Sequence, residues 1–452
     1  MINWQQYGLK KNPFDTLPLI EGGDIAIELA FVGREKEVKY LSDLCDSMSR
    51  LCLTICGNVG VGKTSLANFI KHRSKHTTAS KKLFSFRREI EACEDLLNKK
   101  NFLLEIIGSI LREIRLLDSN LFKNELLNRL SHIVDITQSL SISGGASIAG
   151  FGLNLDQNKN IYQPLNLSTS ILEEYFCSLL NFIRSNKINK QEYSGIIIHV
   201  NNFDVVLNEE KNKSNVINFF NEIRDLMQIE HCYYFFLGPR TFFKEIISTQ
   251  QRVKSIFNQS SLMINALTKQ EIIKALEKRM ELLKSEDVNN YIKPVENEVI
   301  YYLYDIYGGD IRSVMASLLD ILNQYSDKLA KTLKLDEAKI LLAKNRWERL
   351  DSTVNLTHEQ KEVLQLFIES NEPLSVKQIS DKLGKAQPNV SGYYLKALKE
   401  NNIIREESKD RNTVYLGIAD EYLPLKWLQE AKYNLDQEIS KEQGQLSLWQ
   451  LQ

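Results

Sequence analysis

The stretch CGNVGVGKTS, Cys56 to Ser65, constrains the fold of this chain more than any other. It reads glycine, four residues, then Gly-Lys-Thr, which is the phosphate-binding loop pattern. Before it, Leu51 to Cys56 (LCLTIC) is a short apolar run of strand type. After it, Ser65 to His72 (SLANFIKH) has helical period. Strand, glycine loop and helix is the context the pattern needs. Gly57, Gly60 and Gly62 let the backbone turn tightly, so that the N–H groups of a loop made of Asn58, Val59 and Val61 approach phosphate oxygens. Lys63 puts a positive charge beside the outer phosphates, and Thr64 offers a hydroxyl to Mg²⁺. Ser65 lies in the first turn of the following helix, whose dipole favours an anion.

Two further buried strands are expected to share a parallel sheet with the first. GIIIHVNNFD, Gly195 to Asp204, is one. Where such a strand ends, phosphate-loop ATPases carry an Asp that orients the water shell of Mg²⁺, commonly followed by a Glu that polarises the attacking water. Here those positions hold Asn201 and Asn202. An amide can hold a metal-bound water, with Asn201 beside the metal, but it brings no charge and accepts no proton at neutral pH. Asp204, two residues on, either substitutes in part or caps the next turn. His199 reads as a strand histidine. CYYFFLGPRTFF, Cys232 to Phe243, is the other strand with its C-terminal loop. Ligands sit outside strand C-termini in such sheets, which puts Arg240 at the γ-phosphate edge as a candidate sensor.

Composition sets the remaining bounds. The chain has 452 residues, 43% apolar and 25% charged, with a net charge of -1. That length suits several domains, and no global basic field announces nucleic acid. The six cysteines are scattered, none in a C-x-x-C pair, and no Cys/His cluster has zinc spacing. No apolar run reaches membrane-spanning length, and the N-terminus lacks a signal-peptide core, so a cytoplasmic protein without membrane partners is expected.

Residues 1 to 30 look like an irregular arm, and an amphipathic helix begins within Phe31 to Leu44. Gly33-Arg34-Glu35 stands where many P-loop ATPases carry a segment covering the adenine; a charged helix start is the other reading. About 130 residues separate the glycine loop from the strand at Gly195, more than a minimal core needs. This insert, about 75 to 190, is expected to hold a short strand at Lys82 to Phe86, helices at Asn101 to Leu117, Leu121 to Val134 and Ser168 to Asn186, and a Gly-rich β-hairpin at 141 to 156.

The order of these pieces resembles AAA+ ATPases, especially the origin-recognition and initiator-loader group and the related STAND ATPases. The matching pieces are FVGREKE, GNVGVGKTS and IIIHVNNFD. Further along, QQRVKSIF resembles the segment bearing an arginine finger, here Arg252. ALTKQEIIKALEKRM resembles the first lid helix, and YGGDIRSVMASLLD the second-sensor helix, with Arg312 as sensor. Gly308-Gly309 breaks the chain there and Asp310 caps the helix. The resemblance covers roughly residues 30 to 345. It implies ATP and Mg²⁺ as ligands, a nucleotide between sheet domain and lid, and a homo-oligomer or AAA+ partner reached through Arg252. Asn201-Asn202 and the long insert depart from the family pattern and put rapid turnover and the usual oligomer in doubt.

A polar joint at Arg346 to Thr357 leads into the last third. Helices at 357 to 370, Val376 to Gly384 and Lys385 to Asn402, then two strands in Ile403 to Ile418, resemble a winged helix-turn-helix. On its groove face stand Gln387, Asn389, Ser391, Tyr393 and Lys396, with Lys409 and Arg411 on the wing. Thr357 to Pro424 holds 9 Lys/Arg and 11 Asp/Glu, yet Gly384 to Lys399 has three lysines and no acid. Double-stranded DNA is the expected partner, and docking of a protein the other reading. At the very end, Gln445, Leu446, Leu448 and Trp449 lie in QLSLW, which resembles the bacterial sliding-clamp-binding peptide or else packs back on its own domain.

The expected architecture is therefore α/β: a parallel-sheet P-loop core with its arm over 1–265, a helical lid over 266–345, a winged helix-turn-helix over 346–424 and a helix with tail over 425–452. The expected function is that of an ATP-binding, DNA-associated switch with slow hydrolysis, in replication, transposition or mobile-element defence. The alternative is a regulatory adaptor whose winged helix binds a protein and whose nucleotide is structural.

Overall fold

Six strands form one parallel sheet, and its central strands are continuous apolar runs because helices cover both faces. In the computed structural model the described residues are 2–76, 81–143, 167–209, 211–258, 261–325, 330–370, 372–410 and 413–427. They divide into two compact units, Leu17–Leu267 and Met1–Thr16 with Thr268–Gln452.

In the first unit, α1 (Ile27–Ala30) and α2 (Glu35–Ser47) precede β1 (Leu51–Gly57) and α3 (Lys63–His76). Next come β2 (Leu83–Ser85), β3 (Ile90–Glu91), α4 (Lys99–Leu117), α5 (Glu125–Ser143) and α6 (Thr169–Ser185). Then follow β4 (Gly195–Asn201), α7 (Phe203–Val206), α8 (Asn212–Glu222), β5 (Cys232–Gly238), α9 (Phe242–Glu245), α10 (Gln251–Lys254) and β6 (Leu262–Ile264). The strand order is β2-β4-β5-β1-β6, with β3 also on β4, and every pairing is parallel. β1, β4 and β5 are buried almost throughout. Their alternate residues face two cores. Leu53, Ile55, Ile197 and Phe235 pack under α2 and α3, while Cys52, Ile196, Ile198 and Phe236 pack under the helices of the insert. α5 continues to Ser143, past the start of the expected hairpin; residues 144–156 of that hairpin lie outside the described residues.

In the second unit, α11 (Lys269–Leu282), α12 (Asn297–Ile306), α13 (Ile311–Tyr325) and α14 (Leu335–Arg349) share a core that also takes Phe14. A capping box of Thr268 and Glu271 starts α11. The chain start is thus more than an arm. Trp4 packs on this core, and Arg279 donates to the carbonyl of Asp15 at 2.6 Å. α15 (His358–Glu369), β7 (Leu374–Ser375), α16 (Val376–Leu383), α17 (Gln387–Asn389), α18 (Lys396–Glu400), β8 (Ile404–Asp410) and β9 (Thr413–Ile418) complete the unit. The stretch read as a polar joint is partly core: Arg346, Leu350 and Leu356 are buried. No helix among the described residues is long and apolar enough to cross a membrane.

Candidate functional site

The C-terminal ends of β1 and β4 bring the first unit's polar residues together. β1 ends at Gly57, where a β-carbon would come 2.5 Å from the Ile264 carbonyl oxygen of β6, so only glycine lets the two strands close. Gly60 and Gly62 have φ of 73° and 90°, the region that side chains rarely adopt. The space beside Gly62 is open.

Lys63 opens α3 and is buried. Its Nζ donates to the carbonyls of Gly57 and Asn58 and to Asp204 Oδ2, each at 2.9 Å. Three donors therefore meet three acceptors. Asp204 comes from α7, directly after β4. It makes no capping hydrogen bond; its carboxylate pairs with Lys63, and its Oδ1 is buried without a hydrogen-bond partner. Asn201, the last residue of β4, donates from Nδ2 to Thr64 Oγ1 at 3.1 Å. Asn202 follows with φ 67°, a left-handed turn that asparagine tolerates. Hydroxyl, amide and carboxylate oxygens are the donor set of a hard cation, and the loop beside them is an anion cradle. The residues therefore fit a nucleotide phosphate chain with Mg²⁺: Thr64 and Asn201 would lie on the metal side, and the loop N–H groups and Lys63 would hold the phosphates.

Arg240 follows β5 and lines a cleft of about 490 Å³ with Gly57, Asn58, Val59 and Asp204. Ser65 accepts from the Leu19 N–H through its hydroxyl at 3.4 Å. Arg252 is exposed on α10. Arg312 is exposed in the first turn of α13, in the other unit, and its N–H donates to Asp310 Oδ1 at 2.9 Å, which is the expected cap.

Arg34 belongs to the Gly33-Arg34-Glu35 segment, expected either to cover the adenine or to start a charged helix; its side chain makes a contact that neither reading named. It precedes α2 with φ 70°, and its guanidinium donates to the carbonyl of Val61 at 3.0 Å and to that of Asn265. It therefore fixes the glycine loop to the chain after β6. His199 is fully buried, with both ring nitrogens lacking a hydrogen-bond partner. Burial and then the nearby Lys71 push its pKa well below 6.5, so it is a neutral core histidine.

The second polar surface belongs to the C-terminal third. α16 starts in a capping box of Ser375 and Gln378 and ends at Gly384, whose φ of 62° closes the turn. Pro388 lies at the start of the next helical stretch, which runs to Glu400. Its apolar face, Val390, Leu395 and Leu398, packs on Val363, Phe367 and Ile379. The opposite face leaves Gln387, Asn389, Ser391, Tyr393 and Lys396 exposed, Tyr393 at 73%. β7, β9 and β8 form an antiparallel sheet whose hairpin is the wing. Residues 359–406 match the family model of the bacterial regulatory protein, arsR family.

On the exposed wing Lys409 stands among Glu406, Glu407 and Asp410. Arg411, and the tail residues Gln445, Leu446, Leu448 and Trp449, lie outside the described residues. No curated protein matches the chain in sequence. Solved structures similar to it include the Aeropyrum pernix ORC1 protein in complex with DNA. That pair has 14% identity over 95% of this chain and 98% of the other, with a TM-score of 0.47. The Aeropyrum pernix ORC2 protein, in ADPNP-ADP complexes, has 16% identity over 95% and 99%, with a TM-score of 0.46. Cdc6p from Pyrobaculum aerophilum has 14% identity over 90% and 96%, with a TM-score of 0.38.

Proposed function

We propose that this chain is an AAA+-like switch that binds Mg-ATP at the Gly57–Thr64 loop, hydrolyses it slowly and associates with double-stranded DNA through its winged helix. The observation that carries the reading is the convergence of Lys63, Thr64, Asn201 and Asp204 at the ends of β1 and β4. Lys63 trades its carboxylate partner for phosphate oxygens when a nucleotide enters. Asn201 supports the hydroxyl of Thr64 but adds no charge, and Asn202 provides no base for an attacking water. Asp204 is the one carboxylate paired within this group, so residual turnover depends on it. Steady-state phosphate release tests this: wild type is expected to turn over slowly, and Asp204→Ala more slowly still. Rapid release that Asp204→Ala leaves unchanged would contradict it.

For DNA, support comes from the exposed polar face of the helical stretch Gln387 to Glu400. Duplex binding is expected to weaken steeply with salt and to be lost in a Lys396→Glu, Tyr393→Ala double variant. A second reading is favoured by the wing, where the acids outnumber Lys409. In that reading the winged helix docks a protein and the nucleotide is structural. A fixed co-purifying partner with no shift of duplex DNA would select it. Arg252 as a finger toward a neighbouring subunit and the tail as a clamp ligand are parts of the same proposal.

A further inference from the structure

About 13 Å along α3 from Lys63, a second group of ligating side chains meets. His72 and His76 are one helical turn apart, so both imidazoles leave the same side of α3. Glu21, from the segment before α1, reaches that side. Its Oε1 lies 2.8 Å from His76 Nε2 and 3.8 Å from His72 Nδ1. One ligand atom from each of the three residues lies within 4.8 Å of the other two. Ligands bound tetrahedrally to zinc stand roughly 3.3 Å apart, so this spacing needs only small adjustments.

The surroundings are those of a built site. His72 Nδ1 is buried and has no hydrogen-bond partner. Its other nitrogen, Nε2, is 3.8 Å from Glu28 Oε2, so a carboxylate stands near the far side of the ring but beyond hydrogen-bond reach. Lys75 Nζ takes Glu21 Oε2 at 2.9 Å, which leaves Oε1 to the two histidines. Half-exposed His76 gives an ion a route in.

We propose that Glu21, His72 and His76 form a binding site for one divalent transition metal of the zinc class, with a fourth position open to water. Two imidazoles and one carboxylate select such an ion over Mg²⁺, which prefers an all-oxygen shell. The bound ion ties the segment around Glu21 to α3. That segment already touches the helix: Asn68 Nδ2 donates to the Leu19 carbonyl at 3.0 Å. The site is thus a clamp on the helix that begins with Lys63 and Thr64, and it stands whether or not nucleotide binds there.

The test uses the full chain, stripped with a chelator and titrated with Co²⁺ alone and then Zn²⁺ alone. The visible absorption of four-coordinate Co²⁺ and one equivalent of Zn²⁺ per chain are expected. His76→Gln and His72→Asn are each expected to weaken binding at least about tenfold. His358→Gln, at another exposed histidine beside a carboxylate (Glu362, 3.5 Å), is expected to change nothing. Wild type that gives no such absorption and retains no zinc overturns the proposal, as does equal binding by wild type and His76→Gln. The wild-type measurement decides even if a variant fails to fold.

Discussion

At the residue scale, two side chains carry most of the physics of the first unit. Lys63 and Asp204 form a pair at 2.9 Å whose side chains are only 8% and 23% exposed. Removing the carboxylate leaves a sequestered ammonium with two carbonyls. Asp204→Asn is expected to destabilise the nucleotide-free protein by about 1–3 kcal/mol, and saturating Mg-ATP to shrink the gap as phosphate replaces the lost partner. Denaturant unfolding with and without Mg-ATP measures both. His199 gives a pH dependence whose sign is fixed. Its folded pKa is held well below 6.5, by burial first and Lys71 second, while the unfolded chain protonates it near 6.5. Below that pH the unfolded state binds the extra proton, so stability falls as pH drops, by up to about 1.4 kcal/mol per unit from this group. His199→Met is expected to flatten that part of the stability–pH curve, as read by urea melts between pH 5 and pH 7.

At the element scale, the glycine loop works because neighbouring strands come close to it. A β-carbon at Gly57 would stand 2.5 Å from backbone of β6, so Gly57→Ala must displace that strand or the loop. The variant is expected to lose several kcal/mol of stability, about what severe overpacking costs, with nucleotide affinity lost even where the chain still folds. Thermal melts and a nucleotide titration check this. The same elements mark what could be read in the sequence. β1, β4 and β5 were legible because buried parallel strands are continuous apolar runs, and the cap at Asp310 because its glycines and acid are adjacent in the chain. The pairing of Asp204 with Lys63 was not, since a carboxylate after a strand also suits a helix cap. Arg34 and the His72–His76–Glu21 group were hidden for another reason: their partners are distant in sequence, and only the fold brings them together. The C-x-x-C and Cys/His spacings sought in the sequence do not include a Glu from another segment.

At the scale of the whole molecule, a glycine-loop cradle and a winged helix share one chain, and neither explains the other unless ligand occupancy changes the protein. A chain with two exposed polar surfaces and a near-neutral net charge depends on local groups for each partner. Nucleotide occupancy is therefore the claim on which the switch rests. Isothermal titration of Mg-ATP into the full chain, alongside Lys63→Ala, tests it most directly. The expected result is one saturable site in wild type and loss of binding by at least about a hundredfold in the variant, from removal of a charge-assisted contact. Absence of binding to wild type, or equal binding by the two proteins, would contradict the account.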